Sequence, residues 1–264
     1  MFEVGWNQAA GLRAEARQGE ARLMPVASSA QPARAYEMLC TLAAHVAAMG
    51  HHPVIVDGSG QESGDWHRAA GSHMGLLQVL NDVSLAGLDR PTDGSEWLVM
   101  PAALGLQELQ QTARAAGGQV AVSRLLAPFA AKVVVLLYAP ASTLASILSG
   151  MSVQVMVPVL PQKQASIDAY AALKTLHAAG FSPVLSPLEQ EDEFAELPAQ
   201  QVVRTVVECA RRHLNLEATA WPMHTWGVRV QEAALSGPQT MGRRRNGWGD
   251  ALHQGALTAQ TFWS

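Results

Sequence analysis

Lysine is nearly missing from this chain of 264 residues: Lys132, Lys163 and Lys174 are the only three, and none precedes the midpoint. A phosphate-binding loop that depends on a lysine ahead of its helix therefore has no candidate in the first half. Cysteine is almost as scarce. Cys40 and Cys209 are the only two, far apart and each inside an apolar helical pattern, which reads as two buried free thiols and excludes a disulfide framework or a cysteine zinc site. Charged residues make up 15% of the chain, below the roughly 25% usual for soluble domains, so part of the surface is expected to be apolar or used by partners. Positive charge is not in excess: the net charge is -4 and the isoelectric point about 6.1, which gives no global field for nucleic acid, and no direct nucleic-acid partner is expected. Long apolar runs are absent too. Nothing approaches the ~18 uncharged residues of a membrane span, and residues 1–20 hold no signal-type apolar stretch, so the expected location is the cytoplasm.

What is present is a globular composition, 48% hydrophobic, arranged as alternating short apolar runs and amphipathic runs. Residues 22–57 set the pattern: an apolar run, a small-residue loop, an amphipathic run and a second apolar run ending in Asp57, the order of a strand–helix–strand unit. The first helix, over 33–49, carries Leu39, Leu42, Ala43, Val46 and Ala47 on one stripe and stops at Gly50. Strands are predicted over 22–27, 53–56, 96–100, 132–138, 153–157, 183–185 and 218–221. Helices are predicted over 74–80, 103–116, 119–129, 164–179 and 194–214. The run 132–138 is the most continuous β-branched stretch and is expected to be a central strand buried on both faces. This alternation predicts an α/β fold, a doubly wound, mainly parallel sheet flanked by helices. Residues 1–20 read as a separate N-terminal helix, 21–236 as the α/β domain and 237–264 as a tail of different character. No internal repeat is present.

In nucleotide-binding proteins of this layout, the loop between the first strand and helix holds phosphate with glycine N–H groups and a lysine. Here that loop is Ser28-Ser29-Ala30-Gln31-Pro32-Ala33-Arg34-Ala35, with neither glycine nor lysine. Pro32 has no N–H to donate, and Arg34 cannot give the close backbone approach that glycine permits.

Three stretches stand out: Leu98-Val99-Met100-Pro101-Ala102-Ala103-Leu104-Gly105-Leu106-Gln107-Glu108-Leu109 at a strand-to-helix passage, Ser166-Ile167-Asp168-Ala169-Tyr170-Ala171-Ala172-Leu173-Lys174 in a late helix, and Asn7-Gln8-Ala9-Ala10-Gly11-Leu12-Arg13 ahead of the first strand. The first two resemble segments of the MinD/ParA-like ATPases. The third resembles, with Asn for Asp, the N-terminal D-Q-A-x-x-L-R motif of the family's flagellar-number regulators, known as FlhG or FleN. The resemblance implies a MinD-like fold whose N-terminal segment docks on FlhF, a signal-recognition-particle-type GTPase, and stimulates its hydrolysis. Gln8 is then the residue that orients the attacking water, with Leu12 and Arg13 as docking contacts, since phosphoryl transfer is catalysed largely by such positioning. Contacts with flagellar transcriptional regulators or switch-complex proteins are further implied.

The same alignment places the family's two lysines on Ala30 and Ala35, its glycines on Gln31, Pro32 and Arg34, and its Mg²⁺-binding hydroxyl on Tyr36. Of the family's two later carboxylate motifs, Asp57 survives with Ser59 in place of the second Asp, and Tyr138 stands where a metal-site Asp belongs. The expectation is a degenerate nucleotide pocket and a pseudo-ATPase that uses neither ATP nor Mg²⁺, with Asp57 a cap for its own loop. Rival readings are an unorthodox ATPase built from Arg34 and Asp57, and a MinD-like scaffold in another polar or secretion system. No metal site is expected, since His51, His52, His67, His73, Asp57 and Asp65 fit no zinc spacing, and no G-x-S-x-G marks a hydrolase. The tail sets Arg243, Arg244 and Arg245 ahead of Trp248, Leu252, Leu257, Phe262 and Trp263. It is similar to a degraded membrane-binding amphipathic helix, although Gly247, Gly249 and Gly255 each cost about 1 kcal/mol of helix stability relative to Ala. Weak contact with the inner face of the cell membrane is the matching expectation.

Overall fold

The computed structural model describes residues 20–60, 62, 74–82, 84–89, 96–189 and 197–236. Strand β4 (Val133–Ala139) is buried along its whole length. Val, Leu and Tyr side chains on both faces have no room for water, which is why this run reads as continuous rather than alternating. It pairs in parallel with β1 (Arg22–Ala27) over six residues and with β2 (His52–Asp57) over another six. Outward from this centre lie β3 (Leu98–Pro101) beyond β2, and β5 (Gln154–Val159), β6 (Ser182–Pro187) and β7 (Thr219–Ala220) beyond β1. The order is β3-β2-β4-β1-β5-β6-β7, all parallel, and β8 (Leu235–Ser236) pairs antiparallel with the start of β1.

Helices connect the strands: α1 (Pro32–Ala48), α2 (Leu76–Asn81), α3 (Ala103–Ala116), α4 (Gly118–Leu126), α5 (Ala141–Ile147), α6 (Lys163–Ala178), α7 (Ala199–Leu214) and α8 (Trp226–Ala233). The chain is a doubly wound, mainly parallel α/β domain, as the alternation predicts. No helix among the described residues is long and apolar enough to cross a membrane.

The differences from the sequence reading have identifiable causes. In α1, Ala47 is exposed, and Ala35 and Met38 join the buried stripe instead. Gly50 does stop that helix, at a φ of 80° open to glycine without strain. The last predicted strand shrinks to two exposed residues at the sheet edge. Helix α7 begins at Ala199 just after Pro198, and residues 190–196 lie outside those described. Two helices and one strand escape the periodicity: α5 is too short and too uniformly apolar between Pro140 and Gly150 to show a stripe, and α8 and β8 follow in a mixed segment.

Helix α8 is fastened by Trp226, which is fully buried, donates its indole N–H to the Trp221 carbonyl at 2.9 Å and meets the edge of His45. Beside it, Gly227 lets the α8 backbone approach α1, since a Cβ there would lie 2.8 Å from the His45 carbonyl oxygen. Gly227→Ala is expected to cost about 1–3 kcal/mol through overpacking, read as a lowered urea midpoint at unchanged slope.

Candidate functional site

In an open α/β sheet the natural crevice lies at the carboxyl ends of the strands where the strand order reverses, which here is between β1 and β4. The loop leaving β1 lies there, and three of its N–H groups are bonded within the protein. Ser28 N–H donates to the Ala139 carbonyl at 2.8 Å, Ser29 N–H to the Tyr138 hydroxyl at 3.2 Å, and Gln31 N–H to Ser29 Oγ at 3.3 Å. Helix α1 starts with Pro32 and has no side-chain cap at Gln31.

The structure brings Tyr36, Asp57 and Tyr138 together at this end, each on a different element. Tyr138, near the end of β4, is 4% exposed, and its hydroxyl accepts the Ser29 N–H bond. Burial pushes its pKa up, the Ser29 hydrogen bonds lower it, and the nearby Asp57 raises it. Tyr36, on the first turns of α1, is 43% exposed; burial first, then Cys40 and Asp57, raise its pKa. Burial likewise raises that of the Cys40 thiol, against a hydrogen bond from Tyr36 that lowers it. Both phenols therefore stay protonated near neutrality, beside the Asp57 carboxylate.

Asp57 ends β2 and turns its carboxylate onto its own loop: Oδ1 accepts from Ser59 N–H at 2.9 Å and from Ser59 Oγ at 2.6 Å. This is the loop-capping role expected for it. Arg34 Nη1 sits 2.9 Å from Glu37 Oε2, one helical turn on. Ala30 is exposed and Ala35 is fully buried in the core, and neither carries a side-chain cation. Among the described residues no group of three or more His, Cys, Asp or Glu is placed to hold a metal ion. Gln8, Leu12 and Arg13 lie outside the described residues, as do His67, His73 and Asp65. So do Arg243, Arg244, Arg245, Trp248, Leu252, Leu257, Phe262 and Trp263 of the tail.

Sequence reasoning missed Glu62. Its carboxylate bridges the amino ends of two helices, accepting from Leu77 N–H in α2 and from Gly105 N–H in α3, each at 2.6 Å. Both helices lack a side-chain cap, with Gly75 and Ala102 at their N-cap positions. That lack was the available signal, because exposed helix N–H groups must find an acceptor somewhere. Gly75 leaves room for the carboxylate, since a Cβ there would stand 2.8 Å from Glu62 Oε1. A second cleft, of about 420 Å³, opens at the opposite end of the sheet and is lined by Ala47, Gly50, His51, His52, Pro53, Asp89 and Glu96.

Fold and crevice together define a doubly wound α/β domain with a closed first loop. No protein-family model matches the sequence, and no curated protein matches it. Among solved structures, the chain is similar to the ATP complex of a Cyanothece McdA variant (13% identity, 78% of this chain, 82% of that chain, TM-score 0.49). It is also similar to cobyrinic acid a,c-diamide synthase from Mycobacterium smegmatis with bound ADP and magnesium (18%, 73%, 82%, 0.47) and to the MinD of an Aquifex aeolicus MinC:MinD cell division complex (13%, 80%, 84%, 0.40). At such identities and TM-scores, none of these likenesses bears on what the chain does.

Two substitutions probe the site. Glu62→Gln puts an amide NH₂ against one of two helix N–H donors, and a loss of about 1–3 kcal/mol is expected in urea unfolding. Tyr138→Phe deprives Ser29 N–H of its acceptor and is expected to cost about 1 kcal/mol on the same scale, the loop being half-exposed and able to recruit water.

Proposed function

We propose that the chain is a non-catalytic, MinD-like regulator of flagellar number or placement that binds the SRP-type GTPase FlhF and raises its GTP hydrolysis through residues 1–20. The observation that carries the first half of this reading is the closed loop after β1: three of its N–H groups are bonded within the protein, where a phosphate-binding loop would aim them at ligand. The second half rests on Asn7-Gln8-Ala9-Ala10-Gly11-Leu12-Arg13 and its resemblance to the activator motif. Gln8 orients the attacking water in the partner's site, and Leu12 and Arg13 dock the segment.

No chemistry of its own is assigned to Ala30, Arg34, Ala35, Tyr36, Asp57 or Tyr138, and ATP and Mg²⁺ play no part. An ATPase built from Arg34 and Asp57 would require Arg34 to leave Glu37 and Asp57 to leave Ser59, and no second cation is at hand among the residues forming the crevice. The tail, with Arg243, Arg244, Arg245 and its aromatic residues, supplies weak contact with an anionic membrane surface and keeps the protein at the inner face of the membrane. Flagellar regulators or switch-complex proteins are its further partners.

Multiple-turnover GTP hydrolysis by FlhF, with and without the full chain, tests the reading. Stimulation of at least about tenfold is expected, lost to within about twofold of the unstimulated rate in Gln8→Ala, in line with the large effect of a positioning group on phosphoryl transfer. Equal rates with wild type and Gln8→Ala would remove the activator assignment.

A further inference from the structure

The cleft at the amino end of β2 is lined by two carboxylates, Asp89 and Glu96, and two imidazoles, His51 and His52, with Ala47, Gly50 and Pro53 completing its wall. No lysine or arginine is among these residues. Glu96 is exposed, and Asp89, whose side chain is 44% exposed, stands 3.6 Å from His52 Nδ1. Near neutrality His51 adds no positive charge, because burial holds its pKa below the usual histidine value. Both its ring nitrogens are shielded from solvent and make no hydrogen bond, so the acceptor of the neutral ring has no donor. Two cations stand close by without lining the cleft. Arg22 is 7% exposed and donates to the Gln231 carbonyl at 3.1 Å, and Lys132 is exposed, its carbonyl accepting the His52 backbone N–H at 3.0 Å.

Such a lining suits an organic cation. Among the described residues no group of three or more His, Cys, Asp or Glu is placed to hold a metal ion, whereas a guanidinium brings five N–H donors, no acceptor and a permanent charge. With a volume of about 420 Å³, the cleft admits a whole arginine side chain. The chain carries arginines toward this end. The residues before β1 enter the sheet at Arg22, which is in register with Val134 of β4, and Val134 is in register with Pro53 of the cleft wall. Two strand spacings of about 4.8 Å set Arg22 and Pro53 about 10 Å apart. Arg17 is five residues ahead of Arg22, a length of chain that spans up to about 17 Å. So short a tether sets the effective concentration of its side chain at the cleft in the range of about 1 mM. The tail arginines start from farther off. Strand β8 pairs with β1 on the edge away from β4, one strand more distant from the cleft, and Arg243 is seven residues beyond Ser236.

We propose that this cleft is the docking site of residues 1–19 of the same chain, with the guanidinium of Arg17 held between Asp89 and Glu96. The contact is weak and sensitive to salt, because both carboxylates are open to solvent.

A docked segment is a withheld one. If the proposed function is right, FlhF must draw residues 1–19 out of the cleft before Gln8 can reach its site, and that consequence alone rests on that reading.

Trypsin reads the contact directly, because it must take the arginine side chain into its own pocket before it cuts. On the full chain at low salt, the initial rate of cleavage between Arg17 and Gln18 is followed by mass spectrometry and divided by the rate at the same bond in a free peptide of residues 1–20. A slowing of about fivefold is expected, the scale of two partly exposed ion pairs. The double variant Asp89→Asn/Glu96→Gln and, separately, about 0.5 M sodium chloride on the wild type should each bring that ratio to within about twofold of unity. Cleavage after Arg243, Arg244 and Arg245 should be the same in variant and wild type. Equal rates in the wild-type chain and the peptide would overturn the proposal, as would a slowing that survives either the salt or the double variant. Release of the bonds after Arg243, Arg244 and Arg245 in place of the one after Arg17 would overturn it too, and would give the cleft to the tail. The wild-type ratio and its salt dependence need no variant and decide the matter even if Asp89→Asn/Glu96→Gln does not fold. FlhF enters no arm of the experiment, so failure here leaves the proposed function standing.

Discussion

Everything in this molecule hangs on β4, whose seven residues are buried without exception between β1 and β2. Burying a Val or Leu contributes about 1.5–3 kcal/mol relative to exposure, so this strand alone outweighs any polar feature of the domain. Because it is hydrogen-bonded on both sides by parallel partners, it also fixes where three carboxyl ends meet. Residues 27–31, 57–60 and 138–140 converge there whatever their chemistry. The helices then cover the faces, and a few glycines permit the close approaches, such as Gly105 against Leu76 and Gly227 against α1.

The convergence point is knit together by short-range hydrogen bonds rather than left open. Tyr138 reaches from β4 to the loop after β1, Gly58 N–H donates to the Tyr138 carbonyl at 2.7 Å, and Ala102 N–H donates to the Asp57 carbonyl at 2.9 Å. Glu62 then ties the loop after β2 to α2 and α3. The domain thus joins these loops through side chains and backbone of its own. The opposite end of the sheet is organised differently. Charge collects there around His51, and the two ends of the described chain lie against each other through β1 and β8.

Much of the fold was legible because the main strands are buried on both faces and the long helices on one stripe, and both leave periodic patterns. The run that became β4, the Gly50 stop and the alternation of elements all come from that source. Apart from the short, uniformly apolar α5, the elements that could not be read are those whose identity is set by distant partners. Strand β8 exists only because β1 lacks a neighbour over its first residues, and α8 only because Trp226 finds a buried place beside His45. At the crevice, the absence of glycine and lysine in 28–35 was plain in the sequence, as was the local cap at Asp57-Gly58-Ser59. The Tyr138-to-Ser29 bond spans 109 positions and the Glu62-to-Gly105 bond 43, and no local pattern encodes either.

On the function proposed above, the crevice binds no nucleotide, and calorimetric titration of the full chain with ATP and Mg²⁺ measures this. No saturable heat is expected at ATP concentrations up to about 1 mM, weaker than about -4 kcal/mol of binding. Saturable binding with a Kd of about 1 μM or tighter would contradict it.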